Sequence, residues 1–357
     1  MKVFSLQSPI ASSSQPSASR RDLRALWGGI LFSLVFTAII WWAGQRLESI
    51  PHLPDQGAAW YYWKLPQATF WSRLTSWGFY LAHQLALWAL IYYAQMRVKR
   101  YTSGLHPVNY VALGVNAFFI LLHFVQTHIW YDGLAQDTPI WSSQGSVIVM
   151  LVWILLMENN RRGLFFGKRA PISKEIIRFA RQYHGYFFAW AIVFTFWFHP
   201  MEPATGHLIG FFYMFLLLLQ GSLIFTRIHV NRLWTFILEL LVLFHGTLVA
   251  LGNANSLWPM FAFGFGGIFV ITQMHGLGLS LRIRSILLLL YLGLAFWVYN
   301  GRGLEKIHQI TWIPAIDYLS VFLLAGIFGI GLRIARLLKG DTGGETPQPS
   351  QAGGAQA

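Results

Sequence analysis

The stretch LLHFVQTHIWYDGLAQDTPIWSSQGS, residues 121–146, sets His123, Gln126, His128, Asp132 and Asp137 beside a run of apolar and aromatic side chains. Imidazoles and carboxylates kept in such surroundings point to acid–base, metal or ion chemistry, because their burial costs free energy unless something compensates it. His83 in FYLAHQLALW and His245 in TFILELLVLFHG stand in similar company. If all three segments cross a membrane, His83, His123 and His245 fall within about one helical turn of a common depth in the outer half.

Three neutral imidazoles at one level can ligate a transition metal such as zinc, iron or copper and leave a position open for water or substrate. Asp132 would then orient a ligand histidine or act as a base. Without a metal, His123 or His245 could serve as the base of an acyl transfer. A chain of histidine and aspartate side chains could also pass protons or ions. His128, His199 and His207 lie higher, at expected helix ends, with Asp137 and Glu202 in the loops above them. Plainer readings stand beside these: a histidine at a helix end anchors the interface, and one within a span joins two helices by a hydrogen bond.

A haem b reading makes a separate demand. His184 and His199 are fifteen residues apart, about 22 Å along a helix and near one face, which suits two stacked haems. A second helix would need a matching pair. His106 and His123 are about a quarter-turn out of phase, and His229 and His245 project to nearly opposite faces if both are helical. On the inner side, Glu239 is the clearest ionisable group inside an apolar segment, with Gln273 and His275 at a similar depth. Glu239 is either a proton carrier or substrate ligand, or the partner of an inner arginine that makes its burial tolerable.

The elements that must position these groups follow from composition. The 357-residue chain is 55% hydrophobic, 17% aromatic and 11% charged, whereas soluble domains carry roughly a quarter charged residues. Its net charge of +13 is spread over short runs between apolar segments rather than gathered on a basic domain, which argues against nucleic acid and for contact with membrane lipids. With no cysteine in the chain, disulfides, thiolate metal sites and a cysteine nucleophile are excluded.

A hydrocarbon core requires about 20 apolar residues per helix. That rule gives an all-α, polytopic helical bundle with ten spans near 26–44, 75–95, 108–130, 145–158, 183–200, 207–226, 233–252, 257–279, 285–300 and 312–334. Every second connection is basic: SRRDLR, RVKR, NNRRGLFFGKR, TRIHVNR, LRIRS and LRIARLLK. The alternation puts both termini in the cytoplasm and suits a bacterial inner membrane. Residues 1–24 and 340–357 read as disordered tails around one transmembrane domain, 25–339. Segment 45–73, with Trp60, Tyr61, Tyr62, Trp63 and Trp71, reads as lying along the outer interface. Within 161–182, Ser173 can cap a short amphipathic helix whose Ile176, Ile177 and Phe179 dip into lipid. FGFGG at 263–267 and GIFGIG at 326–331 read as close-packing sites.

No Walker loop, HExxH, GxSxG or desaturase-type histidine box is present. The sequence therefore leaves four function classes. The first is a membrane enzyme with its site in the outer half, acting on a lipid or lipid-linked substrate. The others are a proton-coupled transporter, a haem- or quinone-binding electron-transfer protein, and an accessory partner of other membrane subunits.

Overall fold

The computed structural model describes residues 19–54, 56, 63–252 and 257–338. The tails expected at 1–24 and 340–357 lie largely outside this range, as do Trp60, Tyr61 and Tyr62 of the outer segment. Among the described residues the fold is all-helical, with no strand. Its ten α-helices are α1 (Arg20–Gly44), α2 (Phe70–Arg97), α3 (Pro107–Trp130), α4 (Ile140–Arg162), α5 (Lys174–Phe198), α6 (Thr205–Ser222), α7 (Arg232–Gly252), α8 (Trp258–Ile271), α9 (Leu281–Asn300) and α10 (Trp312–Leu338).

Local sequence fixes many of the starts. Ser19, Thr69, Ser173 and Ser280 each accept a backbone N–H three residues on, so they cap α1, α2, α5 and α9. At α3, His106 and Asn109 form a reciprocal capping box ahead of Pro107 in the first helical position. Among the described residues, seven segments are long and apolar enough to cross a membrane: Arg20–Ser49, Pro107–Trp130, Ile140–Arg162, Thr205–Ser222, Arg232–Gly252, Leu281–Asn300 and Leu304–Leu338. Their outward faces are apolar: Leu289, Trp297, Leu319 and Leu323 are all exposed. Such continuous apolar surface is what a lipid-facing helix presents.

Two elements differ from the sequence reading. The eighth helix ends at Ile271, not near 279, and its 14 residues are too few to span a bilayer alone. The chain leaves the helix there because Thr272 Oγ1 bonds both the Leu164 carbonyl and the Tyr318 hydroxyl (2.7 Å), while Phe166 N–H donates to Ile271 O. His275 therefore sits in a short 3-10 turn rather than in a span. Segment 173–182 is not a separate surface helix but the first turns of α5. Ser173 does cap it, yet Ile177 is buried against the bundle instead of facing lipid.

A large aromatic core joins α1, α2, α3, α5 and α6, built around Phe196, Trp197, Phe198 and Phe215. A second core joins α4, α5, α8 and α10 around Leu155, Leu156 and Val321. FGFGG lies on α8 where it packs against α9 and α10: a Cβ on Gly264 would come within 2.8 Å of the Ile313 side chain, and one on Gly267 within 3.2 Å of Pro314 and the Tyr291 hydroxyl. Small residues there permit close approach, as helix packing in membranes requires.

Candidate functional site

One end of the bundle, at the His199 end of α5, holds two connected layers of histidine. In the lower layer, His83 on α2 stacks on Phe119 with ring centroids 4.4 Å apart. Trp197 Nε1–H on α5 donates to its Nδ1 (3.2 Å), which leaves Nε2–H to donate to Asn116 Oδ1 on α3 (2.9 Å). Asn116 in turn donates to Ser222 Oγ and the Leu218 carbonyl of α6. One buried imidazole and one amide thus tie four helices together. Each such bond contributes about 1 kcal/mol net, but an orphaned partner costs more.

His123 on α3 is fully buried under the outer end of α5. Its Nε2 donates to the His199 carbonyl (2.8 Å), and its Nδ1 lies 3.1 Å from Gln126 Oε1. The Gln126 amide donates to Ser76 Oγ and the Asp132 carbonyl. Both nitrogens of His83 are therefore committed to protein partners, and both of His123 face protein oxygens, of which the neutral ring donates to one. Their depth match does not assemble a ligand set with His245. Among the described residues, no three His, Asp or Glu side chains are placed to hold a metal ion.

Asp132 takes a different partner from the one its neighbours suggest. Arg73, at the start of α2, donates to Asp132 Oδ2 (2.7 Å) and to the Gly133 carbonyl, and it also pairs with Asp137. Trp77 Nε1–H donates to Asp137 as well (2.8 Å). The two aspartates thus clamp an arginine instead of orienting a histidine. Burial pushes the Asp132 carboxyl above its ordinary range, while Arg73 and the Gly133 N–H work against that shift. Nearby, His52 Nε2 and the Tyr131 hydroxyl are 2.6 Å apart, and burial lowers the His52 pKa. Glu202 is raised by burial, with Tyr131 opposing and Glu48 adding. Tyr131 ends α3 in the left-handed region, φ 40°, where its N–H closes onto the Gln126 and Thr127 carbonyls.

The upper layer is the convergent one. His199, in the turn after α5, lies with its ring 4.7 Å from that of His207 on α6, and within electrostatic reach of His245 on α7. The His207 ring packs 4.2 Å from Trp63. The His245 ring lies against the backbone of Gly210, where a Cβ would come 3.2 Å from its Cε1. Its Nδ1 is buried with no hydrogen-bond partner among the described residues. Two imidazoles from two elements therefore meet at one end of α5 and α6 with His245 of α7 within electrostatic reach, a grouping the depth argument did not make because it placed His199 and His207 above His245.

The remaining candidates are dispersed. His128 Nδ1–H donates to the Phe124 carbonyl one turn back and stacks on that ring, as a helix-end anchor does. His275 Nδ1 accepts from Arg284 at the inner side. Glu239 is paired: Arg162 Nη1, at the end of α4, donates to both of its carboxylate oxygens (2.8 and 3.1 Å) in a buried ion pair. The arginine sits in NNRRG, a run legible only as topogenic charge.

No protein-family model matches the chain, and neither a curated protein nor a solved structure shows significant similarity to it. What the residues and helices establish is a membrane-type helical bundle with a histidine cluster near one end.

Proposed function

We propose that this chain is an integral membrane protein of a bacterial inner membrane, with ten crossing elements and both termini cytoplasmic. In this reading it acts as an enzyme on a lipid or lipid-linked substrate at the outer side. The reactive centre is His199, His207 and His245, in place of the depth-matched trio. The observation that carries the reading is the His199–His207 ring contact with His245 in electrostatic reach, its Nδ1 left unbonded in a low-dielectric layer. A neutral imidazole so placed can take a proton from a hydroxyl entering from the lipid phase, and a second can hold or return it. Trp63 supplies an aromatic wall of the kind found at membrane interfaces. The strict alternation of basic connections supports the orientation.

The absence of cysteine makes the test direct. In intact cells, single cysteines at position 136 and at His245 should react with a membrane-impermeant maleimide from outside, and one at position 168 should not. Protection of His245→Cys would remove the outward-open site, and reversed labelling of the loops would overturn the topology. Comparative lipid mass spectrometry of membranes from cells expressing the wild type or His245→Ala then reads the chemistry. A lipid class altered only by the wild type supports an enzyme, and identical profiles reject it.

A further inference from the structure

The inner half holds a second histidine pair that the outer site does not use. His184 projects from α5, and His229 comes from the connection between α6 and α7. Their ring centroids are 6.4 Å apart. His184 Nδ1–H donates to the Arg181 carbonyl (2.7 Å), and His229 Nδ1–H donates to the Gln220 carbonyl (2.9 Å). In each ring the proton is thereby fixed on Nδ1 and the lone pair on Nε2. Neither Nε2 makes a hydrogen bond among the described residues.

Metal-ligating histidines are wired this way: a backbone carbonyl holds the far nitrogen, sets the tautomer and raises the basicity of the near one. Rings 6.4 Å apart leave room for one metal ion between them, since a metal–nitrogen bond is about 2.0–2.1 Å.

The protein holds His229 in place deliberately. Phe225 adopts left-handed backbone, φ 59°, a costly conformation for an aromatic residue. The turn is clamped by Thr102 N–H to the Phe225 carbonyl and Arg227 N–H to the Thr102 carbonyl. Thr226 Oγ1 accepts the His229 N–H (3.3 Å). Phe188 packs against His184 with centroids 5.3 Å apart.

We propose that His184 and His229 are the two protein ligands of a d-block metal centre on the inner side, either the iron of a haem or a copper(I) ion. Both sources share one chemistry, a metal that takes a pair of neutral imidazoles. The inference is independent of the outer reactive centre and would survive its loss.

The test uses the full-length protein purified in detergent. It is titrated separately with haem, followed by absorption, and with copper(I), followed by elemental mass spectrometry after desalting. One equivalent of either should bind to the wild type and to the control His308→Ala, whose histidine is exposed. His184→Ala and His229→Ala should each weaken binding by more than the roughly 10–100-fold that loss of an outer-shell partner causes. His229→Met keeps a ligand atom, so it should retain the metal with an altered spectrum, and size-exclusion profiles verify folding. Haem retention and copper retention identify the source. Failure of the wild type to hold either, or binding unchanged in both alanine variants, overturns the proposal.

Discussion

His83 and His123 are buried imidazoles and His184 and His229 are half-buried ones, and the two pairs are wired in different ways. In the first pair every ring nitrogen faces an amide, an indole or a carbonyl. In the second pair only Nδ1 is taken, and Nε2 is left with its lone pair. The contrast separates histidines that hold a bundle together from histidines able to act. Depth in the membrane does not make that distinction; an unbonded Nε2 is a necessary condition for a ring to act but not a sufficient one, since His128 has one too and sits as a helix-end anchor.

A reference point for structural burial is the Arg162–Glu239 pair, which should show the largest effect. Arg162→Ala leaves a buried carboxylate alone and is expected to cost about 3–5 kcal/mol, read as a loss of thermal stability in detergent. The double substitution Arg162→Met with Glu239→Leu should recover most of it, since a well-packed apolar pair can replace a buried ion pair. If Arg162→Ala alone were neutral, the pairing that explains Glu239 would be wrong.

The comparison itself is broken or kept by His83→Ala. Truncation orphans the Trp197 indole N–H and the Asn116 carbonyl and should cost about 1–3 kcal/mol. In metal-free protein, His184→Ala and His229→Ala should each cost less, because their Nε2 atoms leave no partner behind. Equal losses at all three positions would erase the distinction between joining and acting histidines.

A smaller, pH-dependent effect is expected at Glu202. Its folded-state pKa is raised, so the fold favours the protonated acid. That contribution is fully present below the ordinary glutamate value and is lost as pH rises through the raised one. Glu202→Gln should flatten this part of a stability-versus-pH curve, and an unchanged curve would count against the buried carboxyl. The smallest effect belongs to His128→Ala, within about 0.5 kcal/mol, because its bond to the Phe124 carbonyl is local to one helix end.

Much of the fold was legible in the sequence because hydropathy is additive along the chain. The runs that became α3, α7 and α9 announce themselves by length and apolar content, and Ser173, Ser280 and Pro107 mark starts through caps that act over three residues. The eighth helix was overextended because its end is set by Thr272 reaching Leu164 and Tyr318, partners 108 and 46 residues away. Similarly, helical phase set His229 and His245 on nearly opposite faces by treating both as helical. His229 instead lies in the turn before α7, where phase does not apply.

By itself the sequence determined the apolar surroundings these helices suit and the places where helices begin, both consequences of local chemistry. It also named nearly every side chain that matters, since polar groups in so apolar a chain are conspicuous. Only the tertiary structure decided which of them meet: Arg73 with Asp132, Arg162 with Glu239, His199 with His207, His184 with His229. The physical reason is that hydropathy fixes how deep a residue sits, while the partner it faces depends on helix rotation and neighbour, which are set by packing between segments distant in the chain.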